Sequence, residues 1–537
     1  MLSLKQWQNE EIEFKKRGIK LPRFDVHALK SAGLFQPQWI HFGGGNLYRA
    51  FHAAIAQDLA DKGELDRGIV VAETFDPFTV DRVYRPYNND ILQVIMHTNG
   101  KLDERVLAIT AGAYFCNTKR PEDLAKMICY FKSSDLQLST LTITEKGYAV
   151  KDIHGSLLAS VVDEIQNGPK HAVSTMGIIT ALLFARFLAG AAPIAMVSTD
   201  NFSRNGFRFR ESVLTIAHGW LNHGYVSQSF LDYISDESRV SFPWSMIDRI
   251  TPNPAQATEK NLVKQGFSDL GIITTKSGSH FSGFSNTEEI HYLVLEDNFP
   301  NGRPAFEKTD VILADRETVE KADTMKVTAC LNPLHTCLAV FGCLLGYDRI
   351  YQEMRNPDLV SLIRHLGYDE DLPVVIDPGV IDPKKFIDEL IDVRLPNPNL
   401  PDTPQRIATD TSQKVPIRYG YTIQTYIKMG KDVSSLIFIP LTIAGWLRYL
   451  IGIDDNGNSF KPSPDPLLET LQGYLAGISI GEIDRAKIHA KVKPILSNLK
   501  LFGVNLYDAG LAEKIEEYFL HMLAGPGAIA VTIHKLI

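Results

Sequence analysis

The segment Thr324-Met-Lys-Val-Thr-Ala-Cys-Leu-Asn-Pro-Leu-His335 sets a lysine, a carboxamide and an imidazole within about two and a half helical turns of largely apolar sequence. Burial penalises the charged form of a lysine, and that is the condition under which lysines act as general acids or bases near neutral pH. Asn332 offers an N–H donor to a developing alkoxide, and His335 offers a partner for a sugar hydroxyl. Neither a metal-ligand cluster nor an activated serine accompanies them in the sequence. The competing account is a core helix whose lysine snorkels to solvent and whose histidine is simply packed.

A second chemical signal lies near the start. Gln38-Trp-Ile-His-Phe42 reads as a short buried strand, Gly43-Gly-Gly-Asn-Leu-Tyr-Arg49 as a glycine turn, and residues 50–62 as an amphipathic helix. Strand, glycine turn and helix form the setting of a dinucleotide fingerprint, with Gly43 permitting the tight turn and Gly45 the approach of a pyrophosphate. Tyr48 stands where the generic motif has its third small residue. The next apolar run, Gly68–Ala72, ends in Glu73-Thr-Phe-Asp76; an acid there would bind the adenosine ribose, which favours NAD over NADP. The spacing does not choose between Glu73 and Asp76.

Two more apolar runs end in polar clusters. Leu138–Thr144 leads into Glu145-Lys-Gly-Tyr148, and Pro193–Ser198 leads into Thr199-Asp-Asn-Phe-Ser-Arg-Asn-Gly206. In a doubly wound sheet such loops sit where ligands bind. Asn201 is a neutral donor able to share an oxyanion with Asn332; its alternative role is to close the strand in an Asx turn.

The elements that must position these groups are those of an α/β, Rossmann-type N-terminal domain followed by a mostly α-helical C-terminal domain. At 537 residues the chain exceeds one core, and two or three domains are expected. A polar, Gly/Ser/Thr/Asn-rich stretch over 251–285 places the division at 284/285: residues 1–284 for the dinucleotide-binding domain with its N-terminal arm, 285–537 for the helical catalytic domain. Helical periodicity is expected over 324–347, 358–365, 383–393, 433–451 and 511–523. A net charge of −8 argues against a general nucleic-acid or anionic-membrane binder. Cysteines 116, 129, 330, 337 and 343 are scattered, so no disulfide framework or zinc site is expected. The N terminus lacks a signal peptide's apolar core, and Met176–Val197 reads as a buried helix and strand rather than a span; a cytoplasmic setting is the default. The oligomeric state is not legible.

Taken in order, the motifs resemble the polyol-specific long-chain dehydrogenases, the mannitol dehydrogenase family. The family's Gly-x-Gly-x-x-x-Arg turn is matched at Gly43–Arg49 and its Thr-Glu-Lys/Gly-Gly-Tyr loop at Thr144–Tyr148. Further matches are its Asp-Asn-x-x-x-Asn-Gly segment at Asp200–Gly206, Phe242–Pro252, and Glu296–Pro304. The resemblance implies a metal-independent, NAD-dependent oxidoreductase with a small sugar acid or polyol as its substrate. Lys326 would be the acid/base, Asn201 and Asn332 would hold the alkoxide, and His335, Asp248, Arg406 and Lys414 would line the substrate. Gly43, Gly45, Asn46, Arg49, Glu145 and one of Glu73 and Asp76 would serve the cofactor. The expected reaction interconverts a keto-hexuronate and its hydroxy acid, with fructuronate and mannonate first; a neutral polyol such as mannitol is the alternative. A carboxylate substrate calls for a further cation, for which Arg418 is a candidate. A nucleotide-binding regulator without catalysis is the reading from another class.

One departure makes a geometric prediction. The family places its lysine five residues before the asparagine; here the interval is six. On an unbroken α-helix Lys326 and His335 would point about 180° apart. A π-bulge or break between Lys326 and Pro333 would restore their convergence, and Pro333, lacking an N–H for the carbonyl of Ala329, favours one. Lys321 lies on the correct face but about 16 Å along the axis from Asn332.

Overall fold

The computed structural model describes residues 1–152, 154–275 and 278–537. Two compact units are present: Met1–His97 with Lys101–Glu320, and Thr98–Gly100 with Lys321–Ile537.

The first unit is built on a six-stranded sheet. Its strands in chain order are Trp39–Phe42, Ile69–Glu73, Thr110–Phe115, Leu138–Leu141, Ile194–Ser198 and Val240–Ser241. Every pairing is parallel, and the spatial order is third, second, first, fourth, fifth, sixth. This is the Rossmann order, and it reverses between the first and fourth strands, where the Rossmann fold binds its ligand. Both faces of the sheet are covered. Ile40, Phe42, Val70 and Ala72 enter one apolar core; Trp39, Ile69, Val71 and Leu138 enter another. That alternation is the two-residue period of a strand sandwiched between helical layers. Arg186, on the helix Thr175–Leu188, ties one layer to the sheet by donating to five backbone carbonyls. The Met176–Val197 region is thus a buried helix and strand, as its sequence implies.

The division of the chain falls later than 284/285. Phe284–Glu288 pairs in parallel with Ile91–Met96, and Tyr292–Glu296 pairs antiparallel with Ser245–Asp248, so both belong to the first unit. The composition shift misleads because the strand Phe-Ser-Asn-Thr-Glu is polar yet wholly buried. Two of its side chains are anchored by hydrogen bonds: Asn286 Nδ2 donates to Asn253 O, and Thr287 Oγ1 accepts from Arg249 Nε.

The second unit is helical. Asn332–Leu344 and Phe438–Leu450 pack on each other, the latter with all of its residues buried. The periodicity starting at Val433 yields a 3-10 turn at Val433–Ser435 and an α-helix only from Phe438, where the Glu370 carboxylate accepts the N–H groups of Ile437, Phe438 and Ile439 and fixes the N terminus. The run Arg316–Leu344 is long and apolar enough to cross a membrane by composition, but 78% of its most apolar window is buried within the protein.

Candidate active site

In the first unit the glycine turn leaves the first strand at the point where strand order reverses. Gly43 has φ +98°, and a Cβ there would lie 2.1 Å from the carbonyl oxygen of Thr142; no side chain fits. A Cβ at Gly45 would meet nothing within 4 Å, so the backbone faces open space. The following helix begins with a π-turn, Tyr48–His52, continued by Ala53–Asp61. Its first-turn N–H groups lack intrahelical acceptors and suit a phosphate. The cradle therefore fits a dinucleotide.

The two candidate acids differ. The Glu73 carboxylate accepts from the N–H groups of Gly44, Thr74 and Phe75, and burial raises its pKa against those donors and the N–H of Asp76. It knits the glycine turn to the second strand. Asp76 accepts from Phe78 N within its own turn. Arg49 is fully buried, donating to Asn46 Oδ1 and to the carbonyl of Ser282, so its side chain supports Asn46 from beneath. Glu145 is exposed and ion-paired with Arg208.

Asp200 organises the loop that carries Glu145. Its carboxylate accepts from Ile143 N, Thr144 N and Tyr148 OH at 2.8–2.9 Å, holding Thr144 at φ +65°. Asn205 clamps the other side of the same segment by bonding to Asp200 O, Ser245 N, Ser245 O and Ser245 Oγ. Gly206 permits that approach, since a Cβ would lie 2.5 Å from the carbonyl of Phe242. Asn201 sits on this braced loop, exposed, just after the fifth strand. Asp248 ends the strand Ser245–Asp248 and is buried. The sequence alone does not mark Asp200 and Asn205 as supports, although both stand in the Asp-Asn-x-x-x-Asn-Gly motif.

In the second unit, Lys326–Cys330 is a π-helical turn, closed by Leu331 N donating to Lys326 O at 3.1 Å. Leu331 then leaves helical geometry (φ −126°, ψ −62°), and Asn332–Leu344 starts with Pro333 in its first turn. The bulge and the break expected from the six-residue interval are both present. One residue absorbed in this way brings Lys326 and His335 from about 180° to about 80° apart. Lys326 is 3% exposed, with its Nζ 3.4 Å from Asp323 Oδ1. Asp323 stands three residues earlier, a spacing at which helical side chains meet and one that is present in the sequence.

His335 lies beside Asp402, Nε2 to Oδ2 3.7 Å, and this shielded Nε2 makes no hydrogen bond. Burial first, then Arg418, Arg406 and Arg394, push the imidazole down to about 4, with Asp402 opposing them. The ring is neutral at physiological pH. Arg406 is largely exposed and paired with Asp402. Lys414 donates to the carbonyls of Ile407 and Thr409, and burial followed by the charge of Arg418 lowers it to about 8. Among the described residues no group of three or more His, Cys, Asp or Glu side chains is arranged to hold a metal ion.

A Rossmann sheet with a glycine cradle, and a buried lysine on a π-turn followed along the chain by Asn332 and His335, are the elements of a dehydrogenase-type oxidoreductase. The mannitol dehydrogenase Rossmann domain model matches residues 37–308 and the mannitol dehydrogenase C-terminal domain model residues 318–523, and the chain belongs to the mannitol dehydrogenase family. A D-mannonate oxidoreductase of Thermotoga maritima is 48% identical over 528 residues, covering 98% of this chain and 97% of that one. A mannitol 2-dehydrogenase of Pyrenophora tritici-repentis is 26% identical, covering 94% and 84%. The solved mannitol 2-dehydrogenase of Pseudomonas fluorescens, in a ternary complex with NAD and D-mannitol, aligns with a TM-score of 0.69 at 25% identity, over 97% of this chain and 96% of that one.

Proposed function

We propose that the protein interconverts a keto-hexuronate and its hydroxy acid, D-fructuronate and D-mannonate, with NAD(H) and with Lys326 as the general acid/base. The observation that carries this reading is the 48% identity, over nearly the whole of both chains, to a D-mannonate oxidoreductase. Gly43, Gly45 and Asn46 would hold the pyrophosphate, with Glu73 and Arg49 bracing the turn and Asp76 facing the ribose. When bound, NADH supplies the hydride.

The chain's own groups manage the proton and the oxygen. In reduction the Lys326 ammonium donates its proton to the carbonyl oxygen; in oxidation the neutral amine takes the hydroxyl proton. The Asn332 amide donates to that oxygen as negative charge develops, and Asn201 is the second amide donor under this reading. A neutral His335 with its proton on Nε2, toward Asp402, leaves Nδ1 to accept from a sugar hydroxyl. The Asp323 carboxylate compensates the buried ammonium.

The test is NADH oxidation, followed by absorbance, with D-fructuronate, D-tagaturonate and D-fructose. The reading expects D-fructuronate to have the highest kcat/KM. Preference for D-fructose would replace it with a polyol dehydrogenase, and no turnover of any substrate would favour a regulator.

A further inference from the structure

Arg418, half-buried, differs from the buried Arg186 and Arg448 in what surrounds it. Arg186 and Arg448 are saturated by backbone carbonyls, five for the first and three for the second. Arg418 makes one hydrogen bond, from Nη1 to the hydroxyl of Thr336. Its Nε and Nη2 are not sealed from solvent, and among the described residues no carboxylate lies within ion-pair distance of it. Burial lowers this guanidinium to about 10, opposed only by the neighbouring Tyr419 phenol and by no carboxylate. A part-buried cation with free donors and no counter-charge is costly unless a ligand supplies the missing anion.

Its position is fixed by the segment that carries it. Pro416–Gly420 is another π-turn, and it packs on the start of Asn332–Leu344. Tyr419 OH donates to Pro333 O at 2.9 Å, and a Cβ at Gly420 would lie 2.2 Å from the carbonyl of Phe502, so the turn cannot shift to either side. Thr336, the residue that Arg418 holds, comes directly after His335 and donates to Asn332 O at 2.9 Å. Arg394, Arg406 and Arg418 all act on the His335 imidazole, against the single carboxylate of Asp402.

We infer that Arg418 is the specificity residue for an acidic sugar: its free Nε and Nη2 donors bind the substrate's terminal carboxylate as a two-pronged pair, while Thr336 holds the third nitrogen. This rests on the functional reading above. A neutral polyol carries a hydroxymethyl group at that end and leaves the guanidinium without a counter-charge.

The experiment measures kcat/KM for D-fructuronate and for D-fructose in the wild type, Arg418→Leu and Arg418→Lys, together with KM for NADH. Leucine should lower the ratio of the two efficiencies roughly a hundredfold, because a buried charge partner has been removed. Lysine keeps the charge without the fork and should lower the ratio about tenfold. NADH KM should stay constant. If both efficiencies fall in parallel, or if the ratio is unchanged in whichever variant folds, Arg418 is a structural residue and the inference is overturned. A wild type that reduces D-fructose but not D-fructuronate overturns the functional reading itself, a result visible before any substitution is made.

Discussion

Lys326 Nζ lies 3.4 Å from Asp323 Oδ1, and the two residues sit on either side of the junction where α-helix gives way to a π-turn. An α-helical i,i+3 pair thus closes one end of the lysine's surroundings, while the π-turn rotates the residues after it. Asp323 gives the buried lysine a counter-charge, so an ammonium there is not left as an isolated charge. The widened turn then sets Asn332 and His335 at the angle that an unbroken helix forbids.

The neutral His335 makes a prediction about stability and pH. Its imidazole titrates near 4 when folded, against 6.5 for an ordinary histidine. Above about pH 6.5 neither state takes a proton there; as pH falls the unfolded chain takes one first, so stability declines and the loss is complete near pH 4. The size is on the order of 3 kcal/mol. Denaturant unfolding at pH 7 and pH 4.5 should show a smaller drop for His335→Gln than for the wild type. Equal drops would mean that His335 is protonated in the folded protein.

Lys414 sets an alkaline limb. Burial, then the neighbouring Arg418, holds it at about 8, and its protons bridge the carbonyls of Ile407 and Thr409. Below that pH the ammonium keeps the turn beside Arg406 in place and adds positive charge; above it both effects fade. The kcat/KM for an acidic substrate should therefore fall with an apparent pKa near 8. Lys414→Arg, which stays charged, should move that limb out of range. A limb that persists unchanged in the arginine variant assigns it to another group.

The two acids after the second strand should separate by their effects. Glu73→Gln disturbs a carboxylate that binds three backbone N–H groups, one of them in the glycine turn, and should weaken NADH and NADPH together. Asp76→Asn should narrow the preference for NADH by at least about tenfold, because the like charge opposing a 2′-phosphate is gone. The reverse pattern, measured as ratios of kcat/KM, would place Glu73 at the ribose.

Much of this fold is legible in the sequence where signals are local. The strands at Trp39, Ile69, Leu138 and Ile194 begin within a residue of their apolar runs, because a strand covered on both faces is mostly apolar. The run from Leu138 stops pairing at Leu141 rather than Thr144, since the distant Asp200 carboxylate takes the N–H groups of Ile143 and Thr144. The domain division is displaced for the same kind of reason: Phe284–Glu288 looks like a polar linker, and only its pairing with Ile91–Met96 makes it a buried strand. The π-turn at Lys326 is foreseeable because the six-residue interval conflicts with helical geometry. The π-turns at Tyr48 and Pro416 carry no comparable conflict, and the local sequence does not announce them.

Under the proposed mechanism Lys326 moves the proton, and its removal tests that role most directly. Steady-state reduction of D-fructuronate by Lys326→Ala should be slower in kcat by at least roughly 10²–10⁴-fold, while NADH affinity, measured by fluorescence titration, stays within about twofold of wild type. Near-wild-type turnover by a folded Lys326→Ala protein would contradict the assignment and move the acid/base to another residue.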